Sequence, residues 1–183
     1  MKVQSTIVVY TGEGKGKTSA GIGLVCRALG AGKKVAFVQF IKQWRVNEDL
    51  FFDTIKPLFP DRLVTYKGGL GFYDAGNLSA KNITKAQHKD AARATFTHAL
   101  ELATSGKYDL VVCDEINNAT NDGLLKIKDI RTLIQTKDAR TSLCLTGRNF
   151  PKSLTASADI VSDITQVAHH YDKGVIAQEG IDY

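Results

Sequence analysis

Thr11 to Ser19 reads TGEGKGKTS, three glycines and two lysines in nine positions, directly after the apolar run Ser5 to Tyr10. In the phosphate-loop pattern G-x-x-x-x-G-K-[ST], the second glycine, the lysine and the hydroxyl fall on Gly16, Lys17 and Thr18. Thr11 stands at the first glycine position, with Gly12 one place late. Glycines let consecutive N–H groups turn inward around phosphate oxygens, and a helix expected from Lys17 to Leu29 points its N-terminal amides and dipole at the same anion. Lys17 then neutralises phosphate charge, and Thr18 offers its hydroxyl to Mg2+. The candidate nucleotide-binding residues are therefore Gly12, Glu13, Gly14, Lys15, Gly16, Lys17, Thr18 and Ser19, with Lys15 equally readable as a solvated loop lysine. A dinucleotide-type G-x-G-x-x-G is excluded, since neither Gly12 nor Gly14 has a glycine at the third position.

The second chemical feature is LVVCDE, residues 110 to 115, an apolar strand that delivers two carboxylates at its C-terminal end. Ligands of open α/β sheets gather at that edge, so Asp114 and Glu115 are placed to hold Mg2+, directly or through its waters, opposite Thr18. Acidic residues after a strand also serve as helix caps, which is the plainer reading. Together the two features imply a magnesium nucleotide without saying which reaction it undergoes.

These residues need a scaffold, and the chain supplies one by alternating short apolar runs with helical patterns. The expected strands are Thr6 to Tyr10, Val35 to Ile41, Leu63 to Tyr66, Leu110 to Cys113, Ser142 to Leu145 and Asp159 to Val161. Several are continuous apolar runs, as in a parallel sheet covered on both faces. Ala92, Phe96, Ala99, Leu100 and Ala103 recur at helical spacing and define a helix from Thr84 to Thr104; Ile127, Ile130, Leu133 and Ile134 mark another. The expected fold class is α/β, a single-domain phosphate-loop NTPase-like fold with a mostly parallel sheet and helices on both faces, in an order the sequence leaves open. Residues 67–81, KGGLGFYDAGNLSAK, carry four glycines and no periodicity, which makes this long loop the candidate substrate lid.

At 183 residues and 43% hydrophobic content the chain suits one domain with a sizeable core. Its apolar runs are far shorter than the roughly 20 residues a membrane helix requires, and no apolar signal segment opens it, so no membrane partner is expected and the cytoplasm is the default location. Cys26, Cys113 and Cys144 sit in apolar stretches without a C-x-x-C pair and are read as reduced, buried thiols. The net charge of +5 is spread along the chain and suits an anionic ligand at least as well as nucleic acid. No aromatic-plus-basic surface for a single strand is visible, so no nucleic-acid partner is expected.

Five blocks resemble the ATP:corrinoid adenosyltransferases, phosphate-loop enzymes that adenosylate cob(I)alamin: TGEGKGKTS, FVQFIKQW (37 to 44), VVCDE (111 to 115), LTGRN (145 to 149) and the ending HHYDKGVIAQEGIDY (169 to 183). They occur in the family's order across almost the whole chain, the ending is specific to the family, and threonine for the first loop glycine is the family's habit. The resemblance implies that Co(I) of a reduced corrinoid attacks the 5′ carbon of ATP and triphosphate leaves intact. It places Gly12 to Thr18 around the triphosphate, Thr18 and Glu115 at Mg2+, and Lys17 against the leaving group. It also implies a homodimer and admits a flavoprotein as the reductant.

The lid departs from the family pattern G-F-x-W, whose two rings press on the lower corrin face and leave cobalt four-coordinate. Here the residues are Gly71, Phe72, Tyr73 and Asp74, so Phe72 is kept, the tryptophan is missing, and Tyr73 is the candidate second ring. Arg148 is read equally as a nucleotide or corrin contact and as a structural residue at a strand end. Trp44 is read as lid packing or core edge, and His169 as a ligand contact or a hydrogen-bonded residue near the C-terminus. His88 and His98 share no metal geometry and are expected at the solvated surface. Two rival functions remain: a phosphate-loop ATPase that makes ADP and phosphate with a macromolecular partner, and a nucleotide-binding homologue that has lost corrinoid activity.

Overall fold

A computed structural model of the chain describes residues 5–73 and 82–181. Residues 74–81 of the expected lid, Asp74 among them, and the final Asp182 and Tyr183 lie outside the described residues. Six strands form the sheet: β1 (Ile7–Thr11), β2 (Val35–Gln39), β3 (Leu63–Lys67), β4 (Leu110–Asp114), β5 (Ser142–Thr146) and β6 (Ile160–Asp163). Between them lie helices α1 (Lys17–Gly30), α2 (Asn47–Ile55), α3 (Lys85–Thr104), α4 (Ile116–Asn121) and α5 (Ile127–Thr136). The strand order is β3-β2-β4-β5-β1-β6, and every neighbouring pair is parallel. All six C-terminal strand ends therefore share one edge of the sheet.

Alternation along the strands sorts the core into two layers. Val111 and Cys113 of β4, with Leu143 and Leu145 of β5, pack under Ala92, Phe96, Ala99 and Ala103 of α3 and Ile130, Leu133 and Ile134 of α5. Leu110 and Val112 of β4, with Val35 and Phe37 of β2, pack against Val25 and Leu29 of α1 and Phe52 of α2. The small alanine stripe of α3 lets that helix lie close to the sheet. Its start is fixed by Thr84, whose backbone N–H donates to Gln87 Oε1 at 2.8 Å while Gln87 N–H donates back to the Thr84 hydroxyl at 3.3 Å.

Three local expectations are corrected. Cys26 is exposed, because Val25 and Leu29 occupy the face of α1 that meets the sheet; Cys113 and Cys144 are buried as expected. His88 is buried rather than solvated, 3% exposed beneath the ring of Tyr73, and burial lowers its pKa. The last strand runs Ile160–Asp163 rather than Asp159 to Val161.

Candidate functional site

The loop after β1 turns through Gly12 (φ 100°) and Gly16 (φ 108°), both in the left-handed region. Gly12 lies so close to Asp163, the last residue of β6, and to Ile164, and Gly14 so close to Ile164 and Thr165, that a Cβ at either would overlap them. The Gly14 N–H donates to the Ile164 carbonyl at 2.7 Å, so this amide docks the loop on the segment after β6. Gly16 has open space around it and is required by its backbone angles. It stands at the N-terminus of α1 with no side-chain cap, leaving the first helix amides directed at the cleft. Thr11 has its own use: its hydroxyl accepts from the Phe150 N–H at 3.1 Å, joining the loop to the turn after β5.

Lys17 Nζ donates to the Gly14 carbonyl at 2.6 Å, which holds the ammonium over the mouth of the loop. Its pKa is lowered, by burial first and by Arg148 next, against the opposing pull of Glu13, Glu115 and Asp114. Arg148 Nε lies 2.9 Å from Glu13 Oε2, an exposed pair that joins the loop to the turn after β5.

Asp114 is the hub beneath the loop. It is fully buried, and its Oδ1 accepts from the hydroxyls of Thr146 at 2.7 Å and Thr18 at 3.0 Å. Its Oδ2 accepts from Gln39 Nε2 at 3.3 Å and lies 4.0 Å from Lys42 Nζ, which is itself paired with Glu48 at 2.6 Å. One carboxylate thus ties α1, β5, β2 and the segment after β2 to the end of β4. Burial pulls the Lys42 pKa down, but Asp114, Glu48 and Glu115 outweigh it and leave the pKa raised.

Glu115 differs from its neighbour in every respect. It occupies the left-handed region at φ 63°, unfavourable for a side chain of its size, and begins α4. Its N–H donates to the Thr146 hydroxyl at 2.9 Å, while among the described residues nothing hydrogen-bonds to its buried Oε2. Burial first, and Asp114 second, push its pKa from 4.5 up to about 7. A buried acidic oxygen without a donor, in the cleft that Thr18 also lines, is a hard-oxygen ligand that suits Mg2+, which takes one or two carboxylates together with phosphate oxygens.

The strained, proton-retaining Glu115 yields a prediction. Between pH 4.5 and about 7 the folded chain holds this proton and the unfolded chain has lost it, so stability falls as pH rises through that window. Glu115→Gln is expected to raise the melting temperature by about 3 °C or more at pH 8 and to leave it unchanged at pH 4, where both states are protonated. Thermal melts of both proteins at the two pH values check this.

Glu13, Gly14, Lys15, Gly16, Lys17, Thr18, Ser19, Glu115 and Arg148, all named from the sequence, line one cleft of about 930 Å3. Gly12 lies at the root of the loop and Asp114 under the floor. Lys42, Gln39, Thr146, Glu48 and Asn118 belong to the same region and escape sequence reasoning. The available signals were a glutamine closing the apolar strand VAFVQ and a threonine closing SLCLT. Trp44 and Phe72 line the same cleft, with Gly180 and Ile181 of the C-terminal segment. Tyr73 is not brought there: it packs against α3, its ring centroid 5.5 Å from that of His88 and under Lys85 Nζ at 4.9 Å. His169 Nδ1 accepts from the Tyr171 N–H at 3.1 Å and caps a local turn, and the His98 ring packs tilted against that of Tyr66, centroids 4.4 Å apart.

A parallel sheet whose first loop meets a helix N-terminus beside paired carboxylates defines a phosphate-loop nucleotide-binding protein of the α/β class. The chain belongs to the family ATP:corrinoid adenosyltransferase BtuR/CobO/CobP, whose model matches residues 3–183. It is similar to the corrinoid adenosyltransferase of Pseudomonas aeruginosa, 33% identical over 98% of this chain and 84% of the relative. The corrinoid adenosyltransferase of Escherichia coli K12 is 32% identical over 97% of this chain and 85% of its own length. Among solved structures, the flagellar accessory protein FlaH from Methanocaldococcus jannaschii shares the fold, with a TM-score of 0.51 at 13% identity, covering 86% of this chain and 70% of its own.

Proposed function

We propose that this chain transfers the 5′-deoxyadenosyl group of ATP to the cobalt of a reduced Co(I) corrinoid and releases triphosphate, in adenosylcobalamin formation. The observation that carries the reading is the family match over residues 3–183, joined to a cleft lined both by the phosphate loop and by the rings of Trp44 and Phe72. Lys17 and Thr18 suit a triphosphate, and the rings of Trp44 and Phe72 suit a broad apolar face.

In the transfer, the cobalt of the substrate gives an electron pair to the 5′ carbon, the carbon–oxygen bond breaks, and that bond's pair departs with triphosphate. No proton moves, so the chain's task is orientation and charge stabilisation. The α1 amides and the Lys17 ammonium stand where negative charge grows on the leaving oxygens, a preorganised electrostatic effect. Asp114 holds the Thr18 hydroxyl in place, and Arg148 reaches across the mouth of the loop. Thr18 and Glu115 would hold Mg2+, which when bound neutralises phosphate charge.

The family resemblance extends the reading to a homodimer supplied with electrons by a flavoprotein in the cytoplasm. Among the described residues no helix is long and apolar enough to cross a membrane. The phosphorus products test the reaction. With ATP and chemically reduced cobalamin, intact triphosphate is expected in step with a light-sensitive alkylcobalt spectrum. ADP and orthophosphate without that spectrum would instead establish a hydrolase.

A further inference from the structure

The cleft contains two adjoining rings from different parts of the chain. Trp44, the chain's single tryptophan, and Phe72 both line the cleft, with ring centroids 5.1 Å apart and planes tilted by 51°. Trp44 is 43% exposed although a partner ring lies beside it. Large aromatic rings contribute most when their faces are covered, so a half-open pair inside a cleft is a surface with contact left to make.

The backbone builds this pair. Gln39 is the register partner of Lys67 at the end of β2 and β3, and beyond it the two segments stay together. The Gly68 N–H donates to the Gln39 carbonyl at 3.1 Å, and the Gly71 N–H to the Ile41 carbonyl at 2.8 Å. A Cβ at Gly69 would overlap the Ile41 backbone, so glycine allows the approach that sets Phe72 beside Trp44. Lys67 Nζ donates to the Trp44 carbonyl at 2.9 Å and pairs with Asp49, whose carboxylate also accepts from the Val46 N–H at 2.9 Å. The main chain under Trp44 is tied down while its ring faces the cleft. The neighbouring Tyr73 turns the other way and is occupied by His88 and Lys85.

We propose that Trp44 is the second ring of the corrinoid subsite, paired with Phe72, and that it governs affinity for the corrinoid rather than for the nucleotide. The inference rests on the adenosyl-transfer reading above. A corrin is a wide conjugated ring with an apolar face and an amide-rich rim, and two adjoining tilted rings cover more of such a face than Phe72 alone. Charged and polar groups that suit phosphates, Lys17, Thr18 and Glu115, line the same cleft.

The test compares the whole enzyme with Trp44→Ala and Trp44→Phe in steady-state assays that vary ATP and reduced cobalamin separately. Trp44→Ala is expected to raise the KM for cobalamin about tenfold, to leave the KM for ATP within about twofold, and to keep its melting temperature within about 2 °C. Trp44→Phe is expected to restore most of the lost affinity. An unchanged cobalamin KM in Trp44→Ala, with the unaltered enzyme active, overturns this inference alone. A matching rise in the KM for ATP overturns it by assigning the ring to adenine, and a collapse in melting temperature with both constants altered overturns it by making the ring structural. An unaltered enzyme that neither binds cobalamin nor makes alkylcobalt overturns the activity reading and this inference with it.

Discussion

Lys17→Ala is expected to lower kcat by about two to three orders of magnitude at saturating ATP and corrinoid, the scale seen when one preorganised charge-stabilising donor is removed. Among the described residues the lysine's ammonium donates to the Gly14 carbonyl at 2.6 Å, within its own loop, so the variant is expected to fold normally. Its ammonium adds to the α1 amides at the one place where charge accumulates in the reaction. The loss therefore belongs in kcat, with a smaller change in the KM for ATP, because leaving-group charge is larger in the transition state than in bound ATP. Steady-state kinetics with a circular dichroism control check this, and unchanged turnover would mean that the loop does not serve the leaving group.

Asp114→Ala is expected to have the largest effect on stability, a loss of about 3–5 kcal/mol, together with loss of activity. Removing this carboxylate strands the hydroxyls of Thr18 and Thr146 and the Gln39 amide, and it leaves Lys42 with Glu48 alone. Each buried group left without a partner carries a desolvation cost. Asp114→Asn keeps the shape and one acceptor oxygen, so it is expected to lose less stability while still misplacing Thr18. Urea unfolding of the two variants separates these terms. Equal and small losses would show that the contacts around Asp114 contribute little.

The order of apolar runs disclosed most of this architecture because a parallel sheet buried on both faces needs continuous strands, and β1, β2, β4 and β5 are such strands. The pattern weakens where burial does. β6 lies at the sheet edge with Ile160 49% exposed, and its limits were displaced. Two helices, α2 and α4, were not anticipated: α4 spans six residues, too few for a helical repeat to show, and α2 carries exposed Leu50 and Phe51 beside buried Phe52, which blurs its face. The phosphate loop was legible because its chemistry is local, with spacing, strand and helix all in one stretch. The Asp114 hub was not, since Gln39, Lys42 and Thr146 meet it only through strand order, which no local pattern encodes. Trp44 and Phe72 are likewise joined by the register of β2 on β3, and Tyr73, adjacent to Phe72 in sequence, points elsewhere.

The central claim is that ATP is an alkylating agent at this site and its phosphates depart together. ATP labelled with heavy carbon at the 5′ position of its ribose tests it most directly, by following that carbon through one turnover with reduced cobalamin. The account predicts that the label appears in a carbon–cobalt bond, in a light-sensitive corrinoid formed in equal amount to free triphosphate. Recovery of the label in ADP, with no carbon attached to cobalt, would contradict it.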